Sequence, residues 1–151
     1  AKVVTAFTLG HSITLCLAAF ELVYLPARWV ELAIAMTVLW SAGANLARSL
    51  WGDIDAARTT SSLFGVVFCF GLIHGFGFAN VLFALDMPQS QFVVALLGFN
   101  LGLEFAQLGI VLLIVPLLVP LRRYKGLFMS LIRAISLAAG GLAVYWISQR
   151  I

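Results

Sequence analysis

The chain has 151 residues, of which 63% are hydrophobic and 10% charged, with a mean hydropathy of +1.09. A soluble domain carries roughly 25% charged residues, so this chain lacks the polar surface to face water, and a bilayer is its natural solvent. The net charge of +3 does not point to nucleic acid: apart from Arg133, the Lys and Arg residues sit at or near the ends of apolar runs, where they mark membrane sidedness.

A helix needs about 20 apolar residues to span the hydrocarbon layer, and five stretches qualify. The first is Val3–Tyr24, ended by Pro26. The second is Trp29–Ala47, ended by Arg48, after which Trp51–Arg58, holding Gly52, Asp53 and Asp55, reads as a loop. The third is Ser62–Leu85, followed by a short turn at Asp86, Pro88, Gln89 and Ser90. The fourth is Gln91–Val119, long enough to tilt, with Pro116 and Pro120 near its end. Arg122, Arg123 and Lys125 make the most basic loop, a natural anchor for anionic headgroups, and Gly126–Ile147 is the fifth. The expected fold is all-α: a polytopic transmembrane bundle of about five helices in a single domain, residues 1–151.

Sidedness follows from the basic residues. Lys2, Arg48, Arg58, Arg122, Arg123 and Lys125 fall on one side, Arg28 and Arg150 on the other. That bias places the N-terminus in the cytoplasm and the C-terminus outside, with Arg133 snorkelling toward the cytoplasmic face. Trp29, Trp51 and Trp146 lie near helix ends, as interfacial anchors do. Cys16 and Cys69 each lie inside an apolar run and read as small hydrophobes, not as a disulfide framework. The chain begins at Ala1 with no basic stretch followed by a small-residue cleavage site, so no signal peptide is read, and the start looks cut.

Ionisable groups inside a membrane are costly and usually face the bundle interior, where they serve a path or a site. Four stand out: His11, Glu31, His74 and Glu104. His11 follows Gly10, and Thr8, Ser12 and Thr14 supply hydroxyls to satisfy local carbonyls or orient the ring. His74 sits beside Gly71, Gly75 and Ala79, a small-residue ridge that lets helices pack backbone to backbone. Asn100, Glu104 and Gln107 recur at i, i+4 and i+7, one polar stripe on one face, with Gly98 and Gly102 as a second small-residue pair. Glu31 lies near the outer interface, either the mouth of a pathway or a charge paired with Arg28. At about 1.5 Å per residue, His11 falls roughly 12 Å from the inner edge, His74 roughly 18 Å, and Glu104 near the midplane. Each histidine reads as a metal ligand or proton carrier, or else as a ring hydrogen-bonded to a neighbouring helix for packing alone. Glu104 needs a cation, a donor or a proton. Two His and two Glu form a mixed N and O ligand set that suits a nickel, cobalt or zinc ion better than magnesium or calcium.

Four elements occur in order: Phe7-Thr8-Leu9-Gly10-His11-Ser12-Ile13-Thr14-Leu15; Val30-Glu31 with Ile34-Ala35 and Asn45-Leu46; Phe70-Gly71-Leu72-Ile73-His74-Gly75-Phe76-Gly77-Phe78-Ala79; and Phe99-Asn100-Leu101-Gly102-Leu103-Glu104-Phe105-Ala106-Gln107. Together they resemble the HupE/UreJ family of bacterial membrane proteins, linked to nickel and cobalt supply for hydrogenase and urease. The resemblance covers almost the whole chain. It implies a multi-pass protein of the bacterial inner membrane that permeates nickel or cobalt, with His11, Glu31, His74, Asn100 and Glu104 as motif positions. Longer members carry an upstream helix with a Gly-x-Asp-His type motif, and this chain begins after the point where that helix would end. It is then either a shortened member or the C-terminal remainder of a longer one.

Three functions follow as expectations. The first is a permease or metal-handling protein that coordinates the ion through His11, His74 and Glu104, with Asn100 as neutral ligand or orienter and Glu31 near the outer mouth. The second is a structural or accessory subunit of a larger membrane complex. The third is an intramembrane metal hydrolase, for which no nucleophile or substrate channel is evident. The expected partners are the lipid bilayer and either a larger membrane complex or a second copy of the chain.

Overall fold

The computed structural model describes residues 2–51, 60–83 and 88–151. Among these residues the structure is five helices with no strand: α1 (Lys2–Ala19), α2 (Ala27–Trp51), α3 (Thr60–Phe83), α4 (Gln89–Leu121) and α5 (Lys125–Ser148). Such segments become helices because a bilayer offers backbone groups no hydrogen-bond partner, so each span must satisfy its own. Three helices are long and apolar enough to cross a membrane: Ala27–Trp51, Val93–Leu121 and Lys125–Ser148. Shorter apolar stretches, Val3–Ala18 and Leu63–Ala79, belong to α1 and α3, which pack on each other. The loop expected at Gly52–Arg58 and the turn at Asp86 lie outside the described residues.

The first helix stops earlier than its hydropathy implies, at Ala19 and not Tyr24. The reason is local. Glu21 adopts a left-handed conformation, φ 57°; its N–H donates to Ala18 O at 2.8 Å, and the Leu22 N–H reaches back to Leu17 O at 3.0 Å. These two bonds are the double reverse closure of a Schellman cap, a position that favours glycine because a Cβ there costs about 1 kcal/mol. Glu21→Gly is therefore expected to raise stability by about that amount in thermal unfolding, and Glu21→Ala is not. At its other boundaries the sequence reading errs by a few residues. The second helix runs on through Trp51, and the fourth continues through both prolines to Leu121.

Contacts between helices set the topology. The Gly10 backbone lies against Phe68 and Leu72, Gly71 against Phe7 and His11, and Gly75 against His11, Thr14 and Leu15. Residue numbers rise together on both sides, so α1 and α3 are parallel. On α2 and α5 they run in opposition: Glu31 meets Arg150, Ala42 meets Gly140, and Ser49 meets Arg133. On α1 and α4 they also oppose, Thr8 facing Gln107 and Ser12 facing Asn100. Alternate crossing by successive helices produces this set of directions. The two most extensive contacts are α1 on α3 and α2 on α5. A small apolar core of Leu15, Ala18, Ala79 and Leu96, flanked by Cys16, Phe76, Phe78 and Phe99, joins α1, α3 and α4.

Polar side chains tie the second pair together. The Arg133 guanidinium donates to Ser49 O at 2.8 Å, a carbonyl in the last turn of α2, where the helix dipole favours a cation. Arg28 donates to the carbonyls of Arg150 and Ile151 at 2.7 and 2.9 Å. Both cysteines are free, Cys16 partly buried and Cys69 exposed.

Candidate functional site

The glycine ridge decides where His11 goes. A Cβ on Gly71 would run into Phe7 O and His11 N, and one on Gly75 into Thr14 Oγ1 and His11 O. With no side chain at either position, the His11 backbone lies directly against α3, and its ring is carried into the bundle. His11 is only 4% exposed. Its walls are aromatic: Phe7 stacks on it at 6.0 Å between centroids, Phe99 lies at 5.8 Å, and Phe78 at 6.4 Å. Phe78 and Phe99 stack on each other at 3.4 Å, so α3 and α4 close this compartment together. Among the described residues neither ring nitrogen of His11 has a hydrogen-bond partner. An unpartnered polar group in such surroundings costs about 1–3 kcal/mol.

Of the two roles expected for the hydroxyls around His11, Thr8 and Thr14 take the first, satisfying local carbonyls, and Ser12 turns to α4. Thr14 Oγ1 donates to Gly10 O at 3.2 Å and also lies 3.3 Å from His11 O. Ser12 Oγ donates to Asn100 Oδ1 at 2.9 Å, and Asn100 Nδ2 donates to Leu96 O at 3.1 Å. Thr8 Oγ1 donates to Val4 O at 3.2 Å and lies 3.3 Å from Gln107 Oε1. The predicted stripe on α4 is therefore real and faces α1, with Asn100 and Gln107 as its two attachment points. Glu104 lies between them on the same face, partly buried. By contrast, among the described residues nothing lies within 4 Å of where a Cβ would stand on Gly98 or Gly102, so that pair forms no packing ridge with them.

His74 differs from His11 in its surroundings. Its Nδ1 lies 2.8 Å from Phe70 O. A carbonyl can only accept, so Nδ1 carries a proton, and in the neutral ring it is Nε2 that presents the lone pair. That is the arrangement by which proteins orient a metal-binding imidazole. The Phe7 ring meets His74 edge-on at 5.3 Å while stacking on His11, so one phenyl ring is shared by the two imidazoles. His74 also lines a cleft of about 310 Å³ with Thr37, Ser41 and Asn45 of α2 and Ser136 of α5.

Glu31 lies apart from the histidines. Its carboxylate pairs with Arg150 at 2.7 Å, with the two side chains 39% and 53% exposed. Arg28, the partner considered from sequence, goes to the chain's last carbonyls instead. An exposed pair of this kind is worth about 0–1 kcal/mol. Together with Trp146 and Gln149 it lines a cleft of about 460 Å³ at that end of the α2–α5 seam. Among the described residues, no three His, Cys, Asp or Glu side chains converge on one point. The structure thus brings His11 and His74 together around Phe7, sets Glu104 and Asn100 on the α4 face that meets α1, and leaves Glu31 at the bundle's end.

Comparison with curated proteins and with solved structures gives no match. A family model does match: that of the HupE / UreJ protein, over residues 1–150. Since the match takes in all four sequence elements and the helices that carry them, the chain belongs to the HupE/UreJ family of membrane proteins.

Proposed function

We propose that the chain binds a divalent transition-metal ion, nickel or cobalt with zinc as the nearest competitor, and passes it through the bundle. The observation that carries this reading is His11, deeply buried with both ring nitrogens unpartnered. A histidine kept only for packing would be hydrogen-bonded, or would be replaced by an apolar side chain at no cost. His74, with its lone-pair nitrogen set by the bond to Phe70 O, is the second ligand. Glu104 is the source of negative charge: among the described residues it has no salt-bridge partner, and it lies on the α4 face that meets α1. Asn100 holds that face in register through Ser12. Glu31 stands at the outer mouth with Arg150, where an arriving cation competes for the carboxylate.

Family membership supports the choice of metal, as does the mixed nitrogen and oxygen ligand set. The membrane is the bacterial inner membrane, with the N-terminus cytoplasmic and the C-terminus outside. The reading is of a carrier, not an enzyme, and none of its steps needs a nucleophile. One feature favours the accessory-subunit reading: none of the most apolar window of α4 is buried within the chain, which leaves a broad face for lipid or for a partner helix.

The test is metal stoichiometry on the full chain, loaded with nickel or cobalt in nanodiscs and washed. About one ion per chain is expected, falling as the pH is lowered because protons compete for the imidazoles. A helical, monodisperse preparation that retains neither metal sinks the proposal and moves the assignment to the accessory subunit. Uptake of the same ion into proteoliposomes then separates a permease from a protein that only holds metal.

A further inference from the structure

The cleft at His74 has a chemistry of its own. Thr37 Oγ1 donates its only proton to Ile34 O at 2.7 Å, and Ser41 Oγ donates its only proton to Thr37 O at 2.8 Å. His74 Nδ1 gives its proton to Phe70 O. Each group has therefore spent its donor on backbone, and what it keeps for the cleft is lone pairs. Among the described residues no cationic side chain lines the cleft, so an anion finds no charge there to pair with. Its volume of about 310 Å³ holds roughly ten waters at about 30 Å³ each, enough for a cation with most of its first shell. His11, in its aromatic compartment, is not among the residues that line this cleft. Phe7, which lines the cleft and touches both rings, is the partition between them.

We infer that the cleft between α2, α3 and α5 is a hydrated vestibule for the transported cation. It takes a partly hydrated divalent transition-metal ion on His74 Nε2 and the oxygens of Thr37 and Ser41, and Phe7 must swing aside before the ion reaches His11. This inference rests on the metal-carrier reading and adds a route and an order to it: the ion is taken first at the wet histidine and stripped of water at the dry one. The lining is mixed, with Thr37, Ser41, Asn45, His74 and Ser136 set among apolar neighbours, and within a bilayer such polar groups are found against protein or water, not lipid.

The test uses the full chain in nanodiscs with Cys16→Ala and Cys69→Ala as background. Single thiols are placed by Ser41→Cys in the cleft and by Leu137→Cys, a position 61% exposed on the outer face of α5. A cationic methanethiosulfonate is expected to label Ser41→Cys at least about tenfold faster than Leu137→Cys, because only a thiolate in water reacts. Cobalt at about ten times its Kd is expected to slow that labelling about tenfold by occupancy, and His74→Ala is expected to remove the protection. A His11→Cys thiol is expected to label at the slow rate with Phe7 present and to become fast in Phe7→Ala. Thr37→Val, which keeps the volume, is expected to weaken cobalt protection without slowing the labelling itself.

Metal stoichiometry is measured on the same preparations. If cobalt binds but Ser41→Cys labels no faster than Leu137→Cys, or labels fast without protection, the vestibule is overturned and the carrier reading stands. Fast labelling of His11→Cys with Phe7 intact overturns the partition. If no cobalt binds at all, the carrier reading fails and this inference fails with it.

Discussion

Gly71→Ala is expected to destabilise the protein by about 1–3 kcal/mol, the cost of forcing one methyl group into a filled contact, against a total stability of about 5–15 kcal/mol for a typical domain. The size of the effect follows from what the methyl meets. The nearest atoms are Phe7 O and His11 N, both backbone, so no side chain can rotate away and the two helices must separate. The same argument applies to Gly10, whose Cβ would meet Phe68 O and Leu72 N. The two sites share one contact, so the double variant is expected to cost less than the sum of the singles. Gly98→Ala and Gly102→Ala are the controls. Among the described residues nothing lies within 4 Å of where either Cβ would stand, and alanine is the better helix former by about 1 kcal/mol, so neither is expected to destabilise. Thermal unfolding followed by tryptophan fluorescence measures all four. Equal losses at Gly71 and Gly98 would mean that the α1–α3 seam is not the tight contact described.

That contrast bears on what a sequence can reveal. Small residues four apart occur twice, at Gly71, Gly75 and Ala79 and at Gly98 and Gly102, and the spacing is equally good in both. Spacing shows that close approach is possible; it does not name a partner. Gly71 has one because Gly10 on α1 is complementary to it, and Gly98 does not. The polar stripe on α4 was legible for the opposite reason. Asn100 and Gln107 cannot face lipid without cost, so a partner was required, and Ser12 and Thr8 supply it. The early end of α1 was hidden because the apolar run continues through Leu22, Val23 and Leu25, while the left-handed turn at Glu21 has no glycine to announce it.

The histidines themselves were visible in the sequence as ionisable residues inside apolar runs, but their difference was not. It arises from residues brought in by α2, α3, α4 and α5: Phe78 and Phe99 close around His11, while Thr37, Ser41 and Ser136 open a cleft beside His74. Periodicity places a residue on a face; it does not say which helix that face will meet. Glu31 illustrates the same gap. Its nearest cation in sequence is Arg28, yet antiparallel packing of α2 on α5 delivers Arg150 to it.

The prediction that bears most directly on function is His11→Leu, which is expected to stabilise the protein while disabling it. The wild-type ring is 4% exposed with two unpartnered nitrogens, and relief of such a group is worth about 1–3 kcal/mol. Leucine is apolar, comparable in bulk and suited to the aromatic walls that Phe7, Phe78 and Phe99 provide, so unfolding should move to higher temperature. Retained nickel or cobalt should fall by more than the roughly 10–100-fold that follows the loss of a ligand's orienting hydrogen bond alone, because here a ligand itself is removed. A protein that carries a costly buried group for its function shows this opposition of stability and activity. A packing histidine does not, since its replacement changes stability with no effect on metal. His11→Leu that is less stable than wild type, with metal retention unchanged, would identify the ring as a structural element whose hydrogen bonds form only in the assembled membrane protein, and would remove His11 from the ion's path.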